Sequence, residues 1–204
     1  MNLVFLASLI VFILFLYFHL KRQRKLQENQ EKNFWERERL ANSVRKKSLD
    51  HLNYIHIPLE TFPTHLLRED PAVIECIEIV ETLTSQKIVN LTGFSNTDLK
   101  LEYGTANITV LTEYDQNYTI LVRTLQKWAD LLIAAGYDKE ASVLMEFAVT
   151  THTDISRTYY QLADYYVSQR ESDKIRNLTD TASILHSSNS KIILNHLKEL
   201  YPDI

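Results

Sequence analysis

Apolar positions along this chain fall into three regimes. Leu3–Leu20 is apolar throughout except at Ser8 and His19. Lys21–Ser48 is charged, with isolated apolar residues. From Asp70 onward, apolar residues recur at spacings of three and four, the period of a helix. The first regime predicts a membrane-spanning anchor. Helix over residues 3–20 extends roughly 27 Å at about 1.5 Å per residue, close to the hydrocarbon thickness of a bilayer. A cleaved signal peptide should start with positive charge and end in small residues. This run has no charge before it and ends Tyr17-Phe18-His19-Leu20-Lys21. A buried core helix would show a polar face, and none is present.

The second regime contains no Gly or Pro, and its Leu26, Phe34, Leu40 and Val44 make no clean heptad seam. It reads as a solvated juxtamembrane stalk. Two sharper readings are a weakly dimerising coiled coil, or an interfacial helix with Phe34 and Trp35 on lipid headgroups. Tyr54–Pro63 alternates apolar residues around two prolines, so an extended linker is expected. Asp70-Pro71 starts a helix, with Asp as cap and Pro in the first turn. Its expected buried stripe is Ile74, Ile77, Val80 and Leu83 or Thr84, and its end falls near Gln86–Val89. In Asn90–Asp115, Ser95-Asn96-Thr97-Asp98 resembles a capping box. A short helix over Asn96–Tyr103, stopped by Gly104, follows, then a short extended piece over Ala106–Leu111. This polar and aromatic segment is either a packed connector or a functional loop.

From Asp115 the helical period is regular. Leu121, Leu125, Trp128, Leu132 and Ile133 share a face, Gly136 ends the helix, and a second helix over Lys139–Val149 aligns Ala141, Leu144, Met145 and Ala148. An offset of 34 residues then brings Arg123-Thr124 onto Arg157-Thr158, Trp128-Ala129-Asp130 onto Leu162-Ala163-Asp164, Leu144 onto Leu178 and Ala148 onto Ala182. A fixed period of this length implies stacked helix pairs. A last helix, Asn189–Tyr201, carries Ile193, Leu197 and Leu200 and ends at Pro202. The expected fold class is all-α: anchor 1–20, stalk 21–50 and a helical domain 51–204.

Leu125-x-x-Trp128-Ala129-x-x-Leu132, followed by Gly136, Ala141, Met145 and Ala148, resembles the tetratricopeptide repeat. Tyr159, Leu162, Ala163, Tyr166, Ile175 and Ala182 resemble a second, more degenerate unit. That unit has Arg170 in place of the glycine and Thr179 where a bulky residue is usual. Thr153 and Ser187 stand where the family has its terminal proline. The resemblance implies an α-hairpin array with repeats at about 119–152 and 153–186, closed by a capping helix at 189–201. It further implies a concave partner-binding groove lined by Arg123, Gln126, Lys127, Asp130, Arg157, Tyr160, Gln161 and Asp164. The carboxylate-clamp form of the family has Lys and Asn where Gln126 and Asp130 stand, so recognition of a peptide C-terminus is not expected. The arginines could instead pair with neighbouring carboxylates, or a segment of the same chain could fill the groove. Two repeats bury little core, so the Pro71–Val89 helix and the 90–115 segment are expected to complete it.

Charge sharpens the picture. The net charge is -4, but Lys21–Ser48 holds ten Lys/Arg against four Asp/Glu, leaving the remainder acidic. Basic residues next to an apolar run point to a membrane surface, and an acidic main domain argues against nucleic acid. Lys21, Arg22, Arg24 and Lys25 place the following domain on the cytoplasmic side and the N-terminus outside. Four Asn-x-Ser/Thr sites, at Asn90, Asn107, Asn117 and Asn177, would be the glycan acceptors if the domain were lumenal. Cys76 is the only cysteine, so an intramolecular disulfide is excluded. No phosphate loop, metalloprotease pair or nucleophile elbow occurs. The histidines are scattered, with His152 and His186 each just past a helix, and Cys76 reads as a core thiol. No catalytic residue, metal or cofactor is expected. The functional expectation is a membrane-anchored adaptor or assembly factor for a protein or peptide partner. The alternative is a structural subunit whose helical domain is a packing block.

Overall fold

A computed structural model describes residues 3–201, with side chains from Leu9 onward, and all regular structure among these residues is helical. The all-α expectation therefore holds. The helices are α1 (Leu3–Ser43), α2 (Pro71–Thr84), α3 (Asn96–Tyr103), α4 (Ile108–Ala134), α5 (Asp138–Thr150), α6 (Ser156–Gln169), α7 (Ser172–Ser183) and α8 (Asn189–Leu200), with 3₁₀ turns at Leu59–Thr61 and Thr105–Asn107. The chain divides into two compact units: Met1–Lys47 with Ser95–Ile108, and Ser48–Phe94 with Thr109–Ile204.

In the first unit, residues 3–43 of the expected anchor and stalk form one continuous helix, α1, which ends seven residues before the expected limit of the stalk at residue 50. The expected span begins on residues whose side chains lie outside the described set. Among the described residues no helix is long and apolar enough to cross a membrane. Every large apolar side chain from Leu9 to Leu20 is exposed, by 41% to 66%. The far end of α1 is not bare. Ala41 is fully buried, Arg37 pairs with Asp98, and Glu38 pairs with Lys100. Thr97 also donates to Glu38 at 2.8 Å. The capping box forms: Asp98 N donates to Ser95 Oγ at 3.2 Å and Ser95 N to Asp98 Oδ2 at 3.0 Å. Gly104 ends α3 at φ +87°, where a β-carbon would collide with the Arg45 carbonyl. The expected extended piece at Ala106–Leu111 is instead a 3₁₀ turn running into α4. The reason is Asn107: its buried amide donates to the Tyr103 and Lys47 carbonyls at 2.7 and 2.8 Å, which curls the backbone into a turn.

Two carboxyls of this unit sit below the usual range. Glu38 is held down by its Lys100 and Thr97 hydrogen bonds, and Asp98 by the Ser95 hydroxyl and amide, with Arg37 adding charge. Groups depressed in the folded state stabilise it fully above their ordinary range, and that contribution is lost as pH falls through the folded value. Amide-exchange protection of α3, corrected for intrinsic rates, is therefore expected to fall between neutral pH and about pH 3. Protection that stays constant across that window would show that these pairs do not hold α3.

The second unit is built on one apolar cluster. It takes Phe62 and Ile88 from the segments flanking α2, then side chains from α2, α4, α5, α6, α7 and α8, with Trp128 at 0% exposure. α2 starts as expected: Asp70 caps it by accepting from Ala72 N at 2.8 Å, with Pro71 in the first turn. It ends earlier than expected, at Thr84, and its buried stripe is Val73, Cys76, Val80 and Leu83. Ile74 is 37% exposed. Val80 and Leu83 are buried as expected, but Val73 and Cys76 take the places expected of Ile74 and Ile77, because they fit helical spacing equally well. Cys76 is a buried thiol, pushed up by that burial. The expected faces of α4 and α5 are buried, at Leu121, Leu125, Trp128 and Leu132, then Ala141, Leu144, Met145 and Ala148. α4 begins seven residues earlier than expected, at Ile108. Gly136 follows it at φ +83°, and at the matching place after α6 Arg170 adopts the left-handed conformation at φ 60°. A helix end that glycine makes easily is thus made here by a residue with a β-carbon, at a conformational cost of about 1 kcal/mol or slightly more. α8 buries Ile193 and Leu197, while Leu200 is 49% exposed. Pro202 lies outside the described residues.

Candidate functional site

The eight groove residues expected from the sequence are all on α4 and α6. Four of them meet. Gln126, only 8% exposed, donates through Nε2 to Asp130 Oδ1 at 3.0 Å and to Gln161 Oε1 at 2.7 Å. Its Oε1 accepts from Thr158 at 2.6 Å. Gln161 Nε2 donates to Asp130 Oδ1 at 2.8 Å, and Arg157 Nε pairs with the same oxygen at 3.0 Å. One carboxylate oxygen thus collects three side-chain donors and laces α4 to α6. This is the outcome in which the arginine serves a neighbouring carboxylate.

The other four separate. Lys127 pairs with Glu75 of α2 at 2.5 Å. Tyr160 stacks on His196 of α8 with ring centroids 3.7 Å apart. Asp164 accepts from the Tyr201 hydroxyl at 2.8 Å, and burial with that bond pushes the Tyr201 phenol up to about 12. Arg123 is exposed and makes no hydrogen bond or ion pair among the described residues. α8 and the residue after it therefore cover part of the expected groove. Beside it, a cleft of 360 Å³ is lined by Ile133, Met145, Gln161, Asp164 and Tyr165, among others.

Asp130→Ala is expected to leave the buried Gln126 amide short of an acceptor and to cost about 1–3 kcal/mol, more than a surface ion pair is worth. Arg157→Ala, which removes one mostly exposed partner, should cost under about 1 kcal/mol. Urea denaturation of the two variants checks the order; equal losses would mean that the carboxylate is not the centre of the network.

A larger cavity, of 440 Å³, lies elsewhere in the same unit. Four segments wall it: residues 53–56, the loop at 90–94, the end of α5, and residues 184–187 after α7. Asn90 braces the wall by donating to the Thr151 and His152 carbonyls at 2.9 and 3.2 Å. Gly93 stands at φ +92°, where a β-carbon would strike His186. His152 takes the left-handed conformation at φ 59°, and its N–H donates to the Val149 carbonyl at the end of α5. Tyr118 donates to the Thr151 carbonyl at 3.0 Å, and burial pushes its phenol up to about 12. Three of the seven histidines, His56, His152 and His186, line this cavity with Asp154. Among the described residues no group of three or more His, Cys, Asp or Glu side chains is placed to hold a metal ion. In the sequence, His152, His186 and the 90–115 segment stand apart from one another. Nothing local in the sequence joins residues more than a hundred positions apart.

The four Asn-x-Ser/Thr sites differ in availability. Asn90 and Asn107 spend their amides on backbone carbonyls, as above, and Asn117 donates to the Lys87 carbonyl at 3.1 Å. Of the four, only Asn177 is exposed. Compared with models of known protein families, with curated proteins and with solved structures, the chain finds no match in any of the three.

Proposed function

We propose that this chain is a membrane-anchored interaction protein, an adaptor or assembly factor without chemistry of its own, whose tetratricopeptide-like helical domain faces the cytoplasm. The observation that carries the reading is the exposure of every large apolar side chain from Leu9 to Leu20, directly before Lys21, Arg22, Arg24 and Lys25. Such a surface is stable in hydrocarbon and costly in water, and the cations next to it favour the cytoplasmic side. The engaged amides of Asn90, Asn107 and Asn117 support that side, because a glycan on any of them would displace a hydrogen bond of the fold. Arg123, exposed on α4, supports a partner contact there.

A second reading, a structural subunit with no free groove, is favoured by the three donors on Asp130 and by the α8 cover over Tyr160. Photocrosslinking in native membranes from position 123 and from position 160 separates the two. A discrete protein captured from 123 and lost in Arg157→Glu supports the adaptor. Crosslinks from both positions only to the chain itself would sink it in favour of the subunit.

A further inference from the structure

The 440 Å³ cavity at the ends of α5 and α7 has a chemistry of its own. No Lys or Arg lines it, and Asp154 is its one carboxylate. The last turn of α5 and the residues that follow α7 form two of its walls. The partial negative charge at two helix C-terminal ends therefore falls on the same space as the carboxylate. Asp154 is not consumed by the fold: its side-chain oxygen receives a single long contact, 3.5 Å, from the Asn189 amide. The apolar part of the wall is Ile55, Phe94, Phe147, Ile184 and Leu185, and the remaining lining side chains are Asn, Thr, Ser and His. Phe147 is half-buried, while Phe94 and Ile184 stand 50% and 60% exposed at the cavity. The volume lies within the usual range of small-ligand sites, about 300–1,000 Å³.

We propose that this cavity binds an ammonium group carried on an apolar chain, with Asp154 as its counter-ion and Phe94 as its apolar and aromatic contact. An anion would meet the carboxylate and two negative helix ends, with no lysine or arginine to receive it. An uncharged apolar molecule would leave Asp154 unpaired. An ammonium satisfies the carboxylate, gains from both helix ends and can lie against an aromatic face. The group could belong to a free amine or to a lysine side chain of a peptide, and neither source depends on the membrane anchor or on the α4–α6 face.

The test is calorimetric titration of the full chain in detergent with two probes, spermidine and a short peptide with one lysine between phenylalanines, alongside the same peptide acetylated on that lysine. Asp154→Asn should weaken binding about tenfold or more, the loss expected when one charged hydrogen-bond partner goes. It keeps the donation from Asn189 to the backbone carbonyl of residue 154, 3.1 Å in the native chain. Thr150→Lys, an exposed substitution at the cavity, should abolish binding by occupying the site with a cation. Binding of both probes would show recognition of the ammonium itself, and binding of the peptide alone would show that its flanks are needed. The proposal is overturned if neither probe binds at millimolar concentration, if the acetylated peptide binds equally, or if both variants bind like the parent. Should Asp154→Asn lose its thermal transition, Thr150→Lys decides alone.

Discussion

Trp128→Ala is expected to remove about 3–5 kcal/mol from the stability of the second unit, the range for emptying a large aromatic site in a core. Trp128 is fully buried on α4, and Phe62 meets it edge-on with centroids 6.1 Å apart. Phe62 in turn meets Phe147 of α5 at 5.4 Å. Emptying the site therefore loosens the segment before α2, α4 and α5 together. The indole N–H has no hydrogen-bond partner among the described residues. A buried unpaired donor costs about 1–3 kcal/mol, so Trp128→Phe deletes a liability along with some volume and should lose less than half as much as alanine. Urea denaturation followed by far-ultraviolet circular dichroism measures both. A loss below about 1 kcal/mol for alanine would mean that the site collapses freely and that Trp128 is not the anchor of the core.

On the proposed anchoring through residues 3–20, arginine at Ile13 and Leu14 together is expected to move the protein from the membrane fraction to the soluble fraction. A charged residue near the centre of a spanning helix costs about 2.5–3.5 kcal/mol, and two exceed what a single marginal span can absorb. Both side chains are exposed, at 54% and 50%, so the substitution breaks no packing within the fold. Alkaline extraction of membranes, read by immunoblot, checks the result, and an unchanged melting transition of the released protein shows that the helical domain survives. Retention in the extracted membrane pellet would sink the anchor.

The contrast between these two sites shows what was legible in the sequence. Trp128 was readable as the anchor because period 3.6 and the 34-residue offset placed it on an apolar face twice supported. The short helix Asn96–Tyr103 was readable from a cap and a glycine, both local devices. The start of α4 was not, because Asn107 curls the chain through carbonyls at Lys47 and Tyr103, one of them 60 residues away. Nor could the stripe of α2 be fixed, since Val73, Ile74, Cys76 and Ile77 offer two faces of equal spacing and only packing selects one.

The groove followed the same division. Its positions on α4 and α6 were placed by register alone, and register does bring Gln126, Asp130, Arg157 and Gln161 together. Whether such residues face a partner or each other depends on distances of 2.7–3.0 Å between two helices, which no spacing rule contains. By itself the sequence determined helical periodicity, caps, the apolar run and the distribution of charge, because each is set within a few turns of chain. The tertiary structure alone decided the closure of the α4–α6 network, the cover over Tyr160 and Asp164, and the joining of His56, Asn90, Asp154 and His186 around one cavity. Those depend on which distant backbone groups meet, and that is settled by how the whole core packs.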